Sequence, residues 1–162
     1  LGGQFVQGAF MANGSDHIIG GIATSMLCAY FLRAHITSFH TFVFFLACTV
    51  AGSLFPDIDI KSKGQKLFYG LMAPAYIFLF ARGQYALCFL VGLCALMPLL
   101  STHRGLFHRW WFVISFASLW CFAFARMFPH NANTISFATL FFVLGALSHL
   151  WLDFGLFKMF IR

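Results

Sequence analysis

Long apolar runs alternate with short polar stretches along the chain, with neither strand-like alternation nor an internal repeat. Six apolar segments can be drawn. The first, from about Ile18 to Leu32, is rich in Gly, Ala and Ser, a composition suited to close helix packing. The second, Phe39 to Phe55, stops at Pro56, and a polar loop with Lys61, Lys63 and Lys66 follows. Segments three (Leu67 to Ala81) and four (Tyr85 to Leu100) are separated only by Arg82-Gly83-Gln84, which predicts a tight helical hairpin. The fifth runs from Trp110 to Phe128. Beyond the polar linker Pro129-His130-Asn131-Ala132-Asn133, the sixth runs from Ile135 to about Leu152. Several segments fall short of the roughly 20 residues that span a hydrocarbon core comfortably. Some helices are therefore expected to lie partly in the interface or to extend into flanking polar residues.

Composition turns this pattern into a class. Of 162 residues, 61% are hydrophobic, 20% aromatic and only 9% charged, against a usual soluble share of about 25% charged. Too few polar side chains remain to cover a soluble surface. The expectation is an all-α, multi-pass transmembrane helical bundle of about six apolar helices. Residues 11–162 would form a single integral membrane domain. Residues 1–10 precede Met11 and lack the basic start of a signal peptide; they read as an upstream extension or a cloning remnant. The five cysteines all sit in apolar stretches without a CxxC pair, as packing residues do. The formal charge of +6 comes without a dense basic run, so it reports topology and contact with anionic lipid, and no nucleic-acid partner is expected.

If all six segments cross, the N-terminus, the second and fourth loops and the C-terminus share one side. That side holds Lys61, Lys63, Lys66, Arg104, Arg109, Lys158 and Arg162, whereas Arg33, Arg82 and Arg126 fall on the other. The bias predicts cytoplasmic termini in a bacterial inner membrane. The same drawing puts His17, the Asp57-Ile58-Asp59 turn, His103 with His108, and His149 with Asp153 on that face. A polar metal site at one membrane face is the consequence.

The chain keeps only four acidic residues, Asp16, Asp57, Asp59 and Asp153, and all lie in or beside these stretches. His149 and Asp153 are one helical turn apart, so imidazole and carboxylate share a face and can bind one ion; the alternative is a polar pair packed on another helix end. Asp57 and Asp59 follow Pro56, where one carboxylate can ligate while the other orients a histidine or acts as a general base. Their apolar neighbours Phe55, Ile58 and Ile60 argue against a freely solvated loop. His103 and His108 are off a single helical face, but a turn at Gly105 can aim both inward. Arg104 between them can grip an anion bidentately, and Arg109 reads as an interfacial anchor beside Trp110 and Trp111. His17 is a ligand candidate, while Asp16 is equally well explained as a helix cap. His35, His40 and His130 fall at the opposite end and are left out. Nitrogen and carboxylate donors without cysteine suit zinc, with manganese or iron possible, in a site of one to three ions. An ion with an open position generates hydroxide at neutral pH, so hydrolysis is the simplest chemistry.

Four motifs then resemble the YdjM-like family of membrane-bound metal-dependent hydrolases: His17 with its following glycines, Phe55-Pro56-Asp57-Ile58-Asp59, His103-Arg104-Gly105 with His108, and Ser148-His149 with Asp153. They occur in the family's order over roughly Asp16 to Gly155. The family is distantly similar to the phospholipase C and P1 nuclease group, helical enzymes with clustered zinc. The resemblance implies His17, Asp57, His103, His108, His149 and Asp153 as metal ligands and a phosphoester as substrate. The chain departs from the family's pattern with Asp16 in place of a threonine, Ile60 in place of a histidine, and Leu106-Phe107 where a threonine is expected before the last histidine. These changes bear on substrate choice more than on metal binding.

The sequence therefore leads to a membrane-embedded metal-dependent hydrolase acting on a lipid or lipid-linked phosphate, with Asp59 and Arg104 assisting catalysis. Two other classes stay open. One is a non-enzymatic scaffold or partner subunit with a structural metal or polar cluster. The other is a ceramidase-like zinc amide hydrolase, which predicts a serine near the metal, with Ser101 and Ser148 available.

Overall fold

A computed structural model describes residues 14–59, 61–100, 105–155 and 159–160. Among them are six α-helices and no strand: α1 (Gly14–Phe31), α2 (Phe39–Leu54), α3 (Lys63–Ala81), α4 (Tyr85–Leu100), α5 (Trp110–Met127) and α6 (Ala132–Phe154). Short 3-10 turns at Arg33–His35, Phe55–Asp59, Leu106–His108 and Pro129–Asn131 join them.

Local chemistry sets the helix ends. Ser38 accepts a hydrogen bond from the Thr41 N–H (3.2 Å) to start α2, and Ser62 accepts one from the Gln65 N–H (3.1 Å) to start α3. The α3–α4 hairpin closes as expected at Arg82-Gly83-Gln84. There the Gln84 N–H reaches the Leu79 carbonyl (2.9 Å) and the Gly83 N–H the Phe80 carbonyl (3.0 Å). Gly83 takes φ 68°, the left-handed conformation this cap requires. The Tyr69 hydroxyl donates to the Ala95 carbonyl (2.9 Å) and ties the two arms of the hairpin together.

Three stretches among the described residues are long and apolar enough to cross a membrane: Phe39–Asp59, Trp110–Met127 and Pro129–Phe154. This is fewer than the six drawn from the sequence, for identifiable reasons. The α4 helix, Tyr85–Leu100, is apolar but short. The α1 helix takes in Ser15, Asp16 and His17, and α3 begins at Lys63 and includes Gln65 and Lys66. Large apolar side chains such as Ile19, Ile77, Phe89 and Phe122 are exposed on the outer faces, as lipid contact requires of a membrane protein.

The tightest packing joins α2 and α6. A Cβ on Gly52 would run into the Phe142 carbonyl, and one on Gly145 into the Thr49 carbonyl. Small residues let the two backbones touch, the usual device for helix association in lipid. The fully buried rings of Phe45 and Phe141 stack across the same seam, centroids 4.8 Å apart. On the other side α1 lays its buried face of His17, Gly21 and Ser25 against this pair. The α3–α4 hairpin docks at one end, against the Phe55–Asp59 turn, through a core of Phe55, Ile58, Phe68, Phe107, Val113 and Ala146.

Candidate metal centre

The end of α2 is where the site is built. Pro56 follows Phe55 and takes α2 into the 3-10 turn Phe55–Asp59. Ser62 holds that turn to α3, since its hydroxyl donates to the Asp57 carbonyl (2.7 Å) while capping α3. Gly64, whose Cβ would strike the Leu54 carbonyl, lets α3 start this close. Helix ends leave carbonyls without intrahelical partners. One of these, Ser53, accepts a hydrogen bond from His149 Nδ1 (2.7 Å). A carbonyl can only accept, so His149 carries its proton on Nδ1 and presents the lone pair of Nε2.

Around that lone pair the structure gathers four more side chains. The His17 ring stacks on His149, centroids 3.7 Å apart and 16° from parallel. His108, delivered by the Leu106–His108 turn, meets His149 edge-on, centroids 5.6 Å apart. Asp57 Oδ1 lies 3.6 Å from Nε2 of both His108 and His149. Asp153 Oδ2 lies 3.6 Å from His149 Nε2 and 3.8 Å from His108 Nε2, and its Oδ1 lies 3.5 Å from His17 Nε2. All three histidines are buried, and Asp153 and Asp57 keep only 9% and 18% of their side chains exposed.

The spacing carries the chemistry. Charge-assisted hydrogen bonds between imidazole and carboxylate run about 2.7–2.9 Å, well short of the 3.5–3.8 Å seen at all five contacts. Donors at about 2.0–2.1 Å from zinc in tetrahedral array stand about 3.4 Å from one another. Among the described residues two overlapping groups could hold an ion, His17 with His149 and Asp153, and Asp57 with His108 and His149. Both use His149. Its Nδ1 is committed to Ser53, leaving one lone pair, so His149 can serve one ion at a time. The carboxylate of Asp153, facing His17 with one oxygen and the other histidines with the second, can bridge.

Of the residues singled out from the sequence, His17, Asp57, His108, His149 and Asp153 come together here. His103 and Arg104, and Ser101 with them, lie outside the described residues. Asp59 sits at the end of the turn and belongs to neither donor group. Asp16 lies inside the first turn of α1 instead of ahead of it, a position where a carboxylate complements the helix dipole. His35 stacks on Phe137 (4.3 Å) near the N-terminal half of α6, away from the cluster. Ser148, beside His149 in sequence, turns its hydroxyl back to the Gly145 carbonyl (2.7 Å). The Ser53 carbonyl that orients His149 was missed by sequence reasoning. Its only trace is the small-residue run Ala51-Gly52-Ser53 just before a proline-terminated helix.

A family model described as YdjM inner membrane protein matches residues 11–156. No curated protein and no solved structure matches the chain.

Proposed function

The chain belongs to the YdjM inner membrane protein family, and on that premise we propose that it is a membrane-embedded, metal-dependent hydrolase of phosphoesters carried by lipids. The observation that supports this reading is the set of five imidazole and carboxylate donors separated by ligand-to-ligand distances instead of hydrogen-bond distances. We assign one ion, preferably zinc, to His149 with one of its two donor groups, Asp57 and His108 or His17 and Asp153. A divalent ion in such a site supplies Lewis acidity and a water acidified towards neutral pH.

The chain's own residues would do the rest. Ser53 holds the His149 ring in one tautomer. Asp57 and Asp153 balance the charge of the ion, and the partial exposure of Asp57 marks the side from which a phosphate approaches. Asp59, two residues further along the same turn, is the candidate to accept a proton from the attacking water. Arg104 is the candidate to neutralise the phosphate. Cytoplasmic termini and a cytoplasm-facing site complete the proposal, from the excess of Lys and Arg in the second and fourth loops and the C-terminal stretch.

The test is metal content of the detergent-purified protein by mass spectrometry, wild type beside His149→Ala and Asp57→Ala, with folding checked by size exclusion. One zinc per chain, lost in both folded variants, followed by wild-type turnover of a phospholipid or bis-aryl phosphodiester, is the expected result. A full metal site without turnover of any phosphoester would favour a scaffold whose ion ties α1, α2 and α6 together. A wild type that binds no ion after reconstitution would falsify the hydrolase.

A further inference from the structure

We infer that the open-sided cavity lined by α2, α3, α4, α5 and α6 seats a hydrocarbon chain of a membrane phospholipid, oriented so that the headgroup lies at the metal centre. The cavity measures about 840 Å³, inside the roughly 300–1,000 Å³ of pockets that enclose a ligand. Its wall is almost wholly apolar, with Leu71, Phe78, Trp120, Phe124 and Phe142 among the larger contributors. The polar Asn131 and Thr134 line it at the start of α6, the end away from the cluster. Along α3 the lining extends from Gly64 to Leu79, about 22 Å at 1.5 Å per residue. That exceeds the roughly 15 Å depth of one leaflet of hydrocarbon.

Three observations choose the occupant. The three stretches long and apolar enough to cross a membrane, which contain α2, α5 and α6, form much of the wall. An apolar cavity of this kind excludes water, which would lose its hydrogen bonds there, and an empty one would forfeit dispersion contacts. Phe44 on α2 and Leu71 and Phe78 on α3 line the cavity yet are 48%, 53% and 55% exposed. The cavity therefore opens sideways between these two helices, towards the lipid.

The orientation comes from the Phe55–Asp59 turn. Residues three apart in a 3-10 turn share a side, and Phe55 and Ile58 both line the cavity. Asp57, between them in sequence, reaches His108 and His149. A chain filling the cavity thus ends one turn from the metal donors. The headgroup placement rests on the hydrolase reading; the seat for the chain does not.

The experiment uses the purified protein in phosphatidylglycerol vesicles doped with phosphatidylglycerol that carries a diazirine near the end of one acyl chain. After irradiation, labelled peptides are mapped by mass spectrometry and metal content is measured on the same samples. Label should concentrate on the cavity side of α3, α5 and α6. It should fall by about tenfold in Ala75→Trp and Ala138→Trp, whose indoles exclude at least two methylenes from the cavity, with metal content unchanged. Label spread evenly over outward residues such as Ile19 and Phe89, or unchanged in both filled variants, overturns the seat. Cavity labelling in a wild type that holds no metal supports the seat and overturns the headgroup placement.

Discussion

Replacing Gly145 by alanine tests whether the α2–α6 seam sets the geometry of the metal site. The added Cβ would meet the Thr49 carbonyl oxygen far inside contact distance and would also sit 3.1 Å from the Ser53 nitrogen. Carbon and oxygen approach no closer than about 3.3 Å, so α2 and α6 must part by roughly an ångström or more. The His149 Nδ1 to Ser53 carbonyl bond, 2.7 Å in the native protein, would then pass the roughly 3.2 Å limit of a useful hydrogen bond. Overpacking of this kind costs about 1–3 kcal/mol. Losing the group that orients a ligating histidine costs about 10–100-fold in metal affinity. Both effects are expected in Gly145→Ala, read by thermal unfolding in detergent and by zinc competition against a chelator of known affinity. Gly70 supplies the control, because nothing lies within 4 Å of a Cβ added there. Gly70→Ala should leave zinc affinity unchanged and be neutral or stabilising by up to about 1 kcal/mol, the ordinary helix preference for alanine over glycine. Equal zinc affinity and equal melting in the Gly145 variant and the wild type would refute the argument that backbone contact at this seam positions His149.

Two further substitutions separate the site from its scaffold. Ser62→Ala removes the α3 cap and the tether to the Asp57 carbonyl; it should cost about 1 kcal/mol in stability and also weaken zinc binding, measured by the same competition. Gly83→Ala forces a side chain into the left-handed conformation at φ 68° and should cost about 1–2 kcal/mol with zinc binding intact, because the α3–α4 turn lies far from the donors. Zinc loss in Gly83→Ala with the fold preserved would mean that the hairpin and the metal centre are coupled in a way the packing does not suggest.

Much of the local structure was legible because it is written in near neighbours. The hairpin at Arg82-Gly83-Gln84, the stop at Pro56 and the turn after Gly105 depend on backbone preferences of a few adjacent residues, and each appears in the structure. Helix limits were less legible. α1 starts at Gly14 and α3 at Lys63, ahead of the apolar runs at Ile18 and Leu67, since a helix continues through polar residues that hydropathy alone would exclude. That extension also lowers the number of stretches apolar enough to cross the bilayer.

Patterns in the sequence determined that this is a helical protein of the membrane, and that its few carboxylates and several histidines sit at helix ends. Those statements need only composition, periodicity and the cost of charge in lipid. The sequence also placed His17, Asp57, His108, His149 and Asp153 at one membrane face; tertiary structure alone decided how far apart their donor atoms lie and which nitrogen of His149 is available. Those depend on how close α2 and α6 approach, which Gly52 and Gly145 permit across 93 residues of chain. The cavity beside the site has the same origin. Its lining comes from helices far apart in the sequence, α2 to α6, and no stretch of sequence carries that by itself.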